Sequence, residues 1–441
     1  MSEKLRPWRR SARVLSHLAA TPAVLATFGA AATLVVAAPT FAQQGAPLTL
    51  DSALTRAIET DPGLQAAFAG VDAARGDLRQ ARIRPNPDLS VEVENFNGPG
   101  ELRGLQGAET TLALSQEVEL GGQRRARINL ADRELHGAEL DRVLAGLDLL
   151  REVQTAYFEA LAAQHKVVIA RERLATAEEL NQSVARRVAA ARDPLMAGAR
   201  AEAGLAEARV ALARAEAEAQ SARARLATYF GGDDGFSLAS AALDLPTPDG
   251  HGHDTLGDAS PDLARLAAER ERAAAAVRVE RSLAWQNPTL SLGYRRFEDR
   301  DGDGALVAGF SIPLGVFDRN QGARARAEAD RRRAEFQLEA GRRALAREYA
   351  TLQRAMTADA AAVRASEGSV IPQAERALAL AQDGYNRGAF SYLDVLDAQR
   401  ALTDAREARV EALLSYHTNE AALDRLTARF AALLPGEEIH R

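Results

Sequence analysis

The chain has 441 residues, no cysteine, a formal net charge of −6 and only 5 % aromatic residues. The lack of cysteine excludes disulfides, thiolate metal sites and lipid attachment to an N-terminal cysteine. The acidic balance argues against nucleic acid as a partner, because domains that bind nucleic acid are basic. Ala, Arg, Glu and Leu dominate the composition, which is typical of long helices and coiled coils.

Residues 1–42 predict an export signal. Five basic residues precede an apolar stretch at 18–38, and Thr40-Phe41-Ala42 has the small residues that signal peptidase requires. We therefore expect cleavage after Ala42. A retained membrane anchor is the alternative, since the apolar stretch is long for a signal. The Arg9-Arg10 pair leaves open whether the general secretory or the twin-arginine route is used.

The first half of the mature chain, residues 43–230, begins with two short helices. One starts at Leu48 and stops near Asp61-Pro62, and the next extends to about Arg84, where Pro85-Asn86-Pro87 breaks it. A β-hairpin over about residues 88–120 follows, because apolar and polar residues alternate in two runs. A Gly- and Asn-rich loop separates these two strands.

Residues 123–230 predict a long helical hairpin. The run 123–192 contains no proline and is rich in the strongest helix formers. As a single helix it would be on the order of 100 Å long. Such a rod needs a neighbour along its length. The helical run 196–230 supplies one, after a turn at Arg192-Asp193-Pro194.

The second half repeats this order, which makes the chain a tandem repeat of about two hundred residues. Residues 231–259, rich in Gly, Asp and Pro, predict a linker or an irregular segment between the repeats. Residues 260–441 predict a helix, a β-hairpin over about 289–317, and a second long helical hairpin over about 318–434. The turn of this hairpin lies at Arg387-Gly388.

Each of the four predicted strands has one apolar and one polar face. Because the helices lead away from the strands as rods, we expect the apolar face to meet lipid and the polar face to line an aqueous lumen. Four strands cannot close a barrel, and an open edge cannot lie in lipid, so several chains must contribute. A soluble sheet attached to a coiled-coil scaffold is the alternative interpretation.

The polar face of the first hairpin is acidic. Repeated around a pore by several chains, its glutamates should favour cations. The predicted lumen-facing acids are Glu92, Glu94, Glu109, Glu117 and Glu119.

Four motifs carry a resemblance to a known family. The sequences LTLDSAL at 48–54 and GYNRGAFSYLDVLDAQ at 384–399 resemble the opening helix and periplasmic turn of the TolC-type outer-membrane efflux channels. The junctions QEVELGGQR at 116–124 and PLGVFDRNQG at 313–322 are similar to those of the cobalt–zinc–cadmium efflux branch. The resemblance implies a homotrimer, in which a twelve-stranded outer-membrane barrel continues as a periplasmic α-helical barrel. It also implies two partners, a periplasmic adaptor and an inner-membrane transporter of the resistance-nodulation-division type.

The resemblance also implies a periplasmic aperture formed by Tyr385, Asp394 and Asp397. Asp394 and Asp397 share one helix face, so a trimer would place six carboxylates around one axis. We expect such crowding to raise their pKa values and to attract divalent cations. Phe390 stands where the family has an arginine, so the constraint there would be apolar or would come from Arg387.

The sequence predicts no enzyme and no cofactor. It contains no nucleophile–base arrangement, phosphate loop or metalloprotease motif. His251 and His253 could hold a metal ion, but their Gly-rich setting favours a solvated linker. The run DRDGDG at 299–304 favours a polar hairpin turn, since the bidentate Glu of a calcium loop is missing.

We therefore expect a passive exit duct for heavy-metal cations. Two alternatives stay open. One is a duct for drugs or other small molecules that works with a different transporter. The more distant one is an exported coiled-coil structural protein.

Overall fold

The computed structural model describes residues 47–232, 235–239, 243–245 and 260–435. The predicted export signal and the His251–His253 pair lie outside this range. The helices are α1 (Leu50–Thr60), α2 (Pro62–Ala81), α3 (Gln123–Ala189), α4 (Leu195–Thr228), α5 (Pro261–Ser282), α6 (Gln321–Ala365), α7 (Ile371–Arg387) and α8 (Tyr392–Thr427). The strands are β1 (Asp88–Glu94), β2 (Glu109–Glu117), β3 (Thr289–Phe297) and β4 (Gly304–Ser311). This order confirms the predicted tandem arrangement of β-hairpins and long helical hairpins.

Helix α3 is a single helix of 67 residues. It starts after Gly122, whose φ of 77° suits glycine. It ends three residues before the predicted limit, because Ala191 turns the chain with a φ of 55°. Among the helices that the structure describes, none is both long enough and apolar enough to cross a membrane.

The four strands form one antiparallel sheet in the order β1-β2-β3-β4. The central pairing of β2 with β3 joins the two repeats, and its register sets Leu114 beside Leu292. Leu114 also faces Leu89 on β1. Leu89, Leu114 and Leu292 therefore lie in one row on the same face of the sheet. That face is open, with Leu89 69 % exposed and Leu292 63 % exposed.

The main core lies around the middle of α3, where the two repeats and the segment at 243–245 meet. Tyr157 is fully buried, and its hydroxyl donates to the Leu48 carbonyl at 3.1 Å. The ring of Phe158 stacks on that of buried His417 with centroids 4.1 Å apart. Leu161 of α3 and Leu413 of α8 are also fully buried in this core. Elsewhere alanine lets the rods pack closely.

The second long hairpin differs from the predicted continuous helix. A π-helical turn at Ser366–Val370 separates α6 from α7. Pro372 follows in the first turn of α7. Because proline lacks an N–H and its ring clashes with the preceding turn, the widened turn accommodates it. Arg409 of α8 reaches the turn, with a guanidinium nitrogen 2.6 Å from Glu367.

The last helix is shorter than the sequence indicates. We predicted a helix as far as residue 434, whereas α8 ends at Thr427. Ala428 has a φ of 56°, and its N–H bonds back to the carbonyls of Asp424 and Arg425. This left-handed cap stops the helix.

We predict that buried Leu161 contributes strongly to the stability of the fold. Replacing buried Leu161 by alanine should cost about 2–5 kcal/mol, because it removes a fully packed side chain and leaves a cavity. Leu105 in the β1–β2 loop is 69 % exposed, so Leu105→Ala is the matched control. Denaturant titrations followed by circular dichroism measure both variants. Equal midpoints for the two would show that stability does not depend on this core.

Candidate functional site

The turns of the two helical hairpins lie against each other at the end of the rods. The α3–α4 turn comes from the first repeat and the α7–α8 turn from the second. A small apolar cluster joins them, made of Leu180, Val184, Ala201, Ala381, Tyr385, Tyr392 and Val395. We call this region the tip.

Local chemistry explains the shape of the α7–α8 turn. Gly388 adopts a φ of 79°, and the N–H of Ala389 bonds to the Gly384 carbonyl at 2.8 Å, which closes α7. A side chain at Gly384 would overlap the ring of Phe390. Ser391 then caps α8. The motif recognised in the sequence is therefore a helix stop followed directly by a helix start.

Tyr385 is the centre of a three-residue network, which we call the tip triad. Its hydroxyl donates to Asp193 Oδ2 at 2.6 Å. Arg187 donates to both oxygens of Asp193 at 3.0 Å each, and to the Tyr385 carbonyl at 2.9 Å. The Arg187 guanidinium also lies 4.6 Å from the centre of the Tyr385 ring. The triad therefore ties α7 of the second repeat to the turn of the first.

The triad shifts the pKa values of its members. Hydrogen bonds from Arg187 lower the pKa of Asp193 below its ordinary 3.8, against the effect of burial. Burial raises the pKa of Tyr385, and its bond to Asp193 adds to the rise. Asp193 is thus an ionised acceptor and Tyr385 a neutral donor at neutral pH, which is the pairing that the distances require.

The predicted aperture acids, Asp394 and Asp397, lie at the start of α8. The side chain of Asp394 accepts from the N–H of Ser391 at 2.7 Å and from its hydroxyl at 2.8 Å. These bonds lower the pKa of Asp394 in the single chain, and the rise expected from crowding in a trimer stays a prediction. Asp397 is exposed.

Sequence reasoning missed two of the three triad residues. Arg187 lies in the last turn of α3, and Asp193 lies in the turn that follows. The sequence indicated their proximity to Tyr385 only through the tandem repeat, which puts both turns at the same end of the molecule. The arginine of the network is Arg187, whereas Arg387 pairs with Asp383 on its own helix. Phe390 is half exposed and packs over Gly384.

The five predicted lumen acids fall into two groups; four lie on the polar face of β1 and β2, and Glu119 lies two residues beyond the end of β2. Near the helices, Glu119 pairs with Arg127 at 2.6 Å, and Glu117 accepts from Asn287 at 2.7 Å. Glu92, Glu94 and Glu109 lie toward the loops. Arg295 forms an ion pair with Glu94 and another with Glu109. Within the described ranges, no group of three or more His, Asp or Glu side chains could hold a metal ion.

Comparison with known proteins gives a consistent set of similarities. Residues 53–232 and 254–429 match a family described as "Outer membrane efflux protein". The chain is 34 % identical over 399 residues to the cobalt-zinc-cadmium resistance protein CzcC of Cupriavidus metallidurans, covering 89 % of this chain and 93 % of that one. It is 31 % identical over 397 residues to the pyoverdine export outer membrane protein OpmQ of Pseudomonas aeruginosa, covering 84 % and 83 %.

A solved structure supports the fold. The outer membrane protein VceC of Vibrio cholerae superposes with a TM-score of 0.70 at 24 % identity, covering 88 % of this chain and 97 % of that one. At this identity the likeness concerns the fold alone.

The triad predicts a pH-dependent tip. The pKa of Asp193 is lowered in the folded chain, so its ionised form stabilises the tip. This stabilisation is complete above pH 3.8 and is lost as the pH falls through the lowered pKa. Asp193→Asn should weaken the pairing of the two turns by about 1.5–3 kcal/mol at neutral pH, the range for hydrogen bonds to charged groups.

The cysteine-free chain allows a direct measurement. Spin labels at exposed Leu195 and Leu393 report the distance between the turns. The distribution should broaden in Asp193→Asn at pH 7, and in the wild type only in acid. Asp383→Asn, which removes an exposed acid from the same tip, is the control. Identical distributions for all three proteins at pH 7 would contradict a holding role for the triad.

Proposed function

The chain belongs to the outer membrane efflux protein family, and we propose that it is the outer-membrane exit duct of a pump for heavy-metal cations. The observation that carries the proposal is the near full-length similarity to a cobalt-zinc-cadmium resistance protein. The open apolar face of the sheet fits lipid, and the long charged helices fit an aqueous periplasm.

The duct would be a homotrimer. Strands β1 and β4 each have one neighbour in the sheet, so their outer edges present unpaired N–H and C=O groups. Such edges cannot lie in lipid, because each unsatisfied group there costs several kcal/mol. Three copies joined β4 to β1 would close a barrel of twelve strands, as the resemblance implies. The helices would then continue that barrel into the periplasm.

A passive duct needs partners that supply energy. We propose a periplasmic adaptor and an inner-membrane transporter of the resistance-nodulation-division type as those partners. The exposed turns around Leu195 and Leu393 would meet the adaptor, because they lie at the end of the rods furthest from the sheet.

The tip would be the closed aperture of this duct. In the trimer, exposed Asp394 and Asp397 from each chain would place six carboxylates around one axis. The tip triad would hold each second-repeat hairpin against its first-repeat neighbour, through the bond from Tyr385 to Asp193. Opening would require those turns to separate, so the triad would set the resting conductance.

Export of a small molecule is the second candidate. The similarity to the pyoverdine export protein OpmQ, at 31 % identity over 397 residues, favours it. The two candidates share the duct and differ only in the cargo that the transporter delivers. A purely structural coiled-coil protein is disfavoured, since its sheet would leave a large apolar face in water.

Growth assays separate the candidates. Deleting the gene in its host should reduce tolerance of Zn, Co or Cd salts while leaving tolerance of most drugs unchanged. Restoring the wild-type gene should restore growth, and restoring the Leu105→Ala form, altered at an exposed loop residue, should do the same. A loss of drug tolerance alone would point to small-molecule export and remove the metal assignment.

Single-channel recording tests the aperture. Trimers of Asp394→Ala with Asp397→Ala should lose the block that multivalent cations produce from the periplasmic side, because the ring of carboxylates is gone. Tyr385→Phe should raise the resting conductance, because it removes the bond to Asp193. Asp383→Asn, at the same tip, is the control for both. Unchanged cation block in the double variant would leave the two aspartates as ordinary residues of a helix start.

A further inference from the structure

Charged side chains on the polar face of the sheet lie at its two ends, one nearest the helices and one nearest the loops. The middle of this face carries small residues, in the Ser90–Ala113–Gly293 row across three strands, and Glu117 lies at the end nearest the helices. The two rows nearest the loops are Glu92–Thr111–Arg295 and Glu94–Glu109–Phe297. The face therefore changes from small and neutral in its middle to charged at the loop end.

Arg295 bonds to three side chains on two neighbouring strands. Its Nη1 lies 2.8 Å from Glu109 Oε2, and its Nη2 lies 2.8 Å from Glu94 Oε2. Its Nε donates to the Thr111 hydroxyl at 2.9 Å. The guanidinium thus extends from its own row to the next one, where it pairs with both Glu94 and Glu109. A planar, permanently charged fork can do this, whereas a lysine would meet one carboxylate as a point charge.

The bridge uses most of the acceptor capacity of the two acids. Asn95 donates to the second oxygen of Glu109 at 3.1 Å, so both oxygens of Glu109 are engaged. In the described structure, Oε1 of Glu94 has no hydrogen-bond partner, and the Glu94 side chain is 41 % exposed. The cluster therefore presents one partly free carboxylate to solvent.

The charge balance follows directly. Two carboxylates and one guanidinium give the cluster a net charge of −1 per chain, where the acids alone would give −2. In a trimer the ring would carry −3 from these residues instead of −6. Nearby Glu92 is exposed and adds to the negative potential. In such a trimer the loop end of the sheet would therefore attract cations, although its ring of side chains is not fully acidic.

We propose that Arg295 is the specificity-setting residue of the duct's outer mouth: it limits the acidity of the ring so that divalent cations pass without being held. This inference rests on the proposed trimeric duct, in which the polar face lines the pore. Conduction requires sites that favour entry yet release the ion. Two unpaired carboxylates on adjacent strands would offer a divalent cation hard oxygen ligands from both sides.

The test is the ion selectivity of purified trimers in planar bilayers. Reversal potentials in a KCl gradient should show that Arg295→Gln raises the potassium-to-chloride permeability ratio by about twofold or more. Zn²⁺ added on the loop side should block Arg295→Gln at a lower concentration than it blocks the wild type. Arg295→Lys, which keeps the charge, should stay closer to the wild type in permeability ratio.

Arg296→Gln is the matched control. Arg296 is the next residue on β3 and faces the opposite side of the sheet, where it is 57 % exposed and pairs with Glu298 at 3.1 Å. It carries the same charge, so its loss changes the net charge of the protein equally. Its selectivity should equal that of the wild type. Equal shifts in Arg295→Gln and Arg296→Gln would overturn the proposal, as would no shift in Arg295→Gln.

A second variant keeps the test decisive if Arg295→Gln does not assemble. Glu94→Gln leaves the Arg295–Glu109 pair intact and makes the cluster neutral, so cation preference should fall. An unchanged ratio in Glu94→Gln would then overturn the inference. A wild-type protein that stays a monomer in detergent, measured by native mass spectrometry, would overturn the proposed duct itself, which distinguishes the two failures.

Discussion

The sheet cannot be completed by one chain, and the rest of the structure depends on that constraint. Its apolar face is open from Leu89 on β1 to Phe310 on β4, and both outer edges lack a neighbouring strand. In water such a face and such edges would be a liability for aggregation. In lipid the apolar face is favourably placed, but the backbone N–H and C=O groups of the two edges are hydrogen-bonded only if further copies pair with them. Assembly and membrane insertion are therefore both needed, one to pair the edges of the sheet and the other to cover its apolar face.

The β2–β3 pairing determines where everything else lies. Because this pairing joins the two repeats in register, both long hairpins leave the sheet at the same level and extend in the same direction. Their turns then meet at the far end, where Tyr385 from one repeat can bond to Asp193 from the other. A core around Tyr157 holds the rods together midway. The meeting of the two turns is thus a consequence of repeat symmetry, stabilised by a few polar contacts.

Local patterns predicted most of the fold, and long-range contacts explain what they missed. Alternating residues predicted the strands and their faces, and the proline-free run predicted α3. The π-helical turn escaped prediction because Pro372 could equally have kinked or ended the helix. The role of Arg187 escaped because its partners are Asp193 at the next turn and Tyr385, which is 198 residues away along the chain. The direction of the pKa shift at Asp394 depends on a local cap whose geometry only the structure gives.

Arginine moderates acidic groups at both ends of the molecule. At the tip, Arg187 donates to both oxygens of Asp193, whereas Asp394 and Asp397 stay exposed. At the loop end, Arg295 engages one oxygen each of Glu94 and Glu109 and leaves part of Glu94 exposed. A duct for cations needs negative potential along its path, yet every unpaired carboxylate is also a ligand that could retain the cargo. Pairing some acids with arginine lowers that retention while the net charge stays negative. The same balance, set by different residues, would therefore govern entry at the tip and release at the mouth.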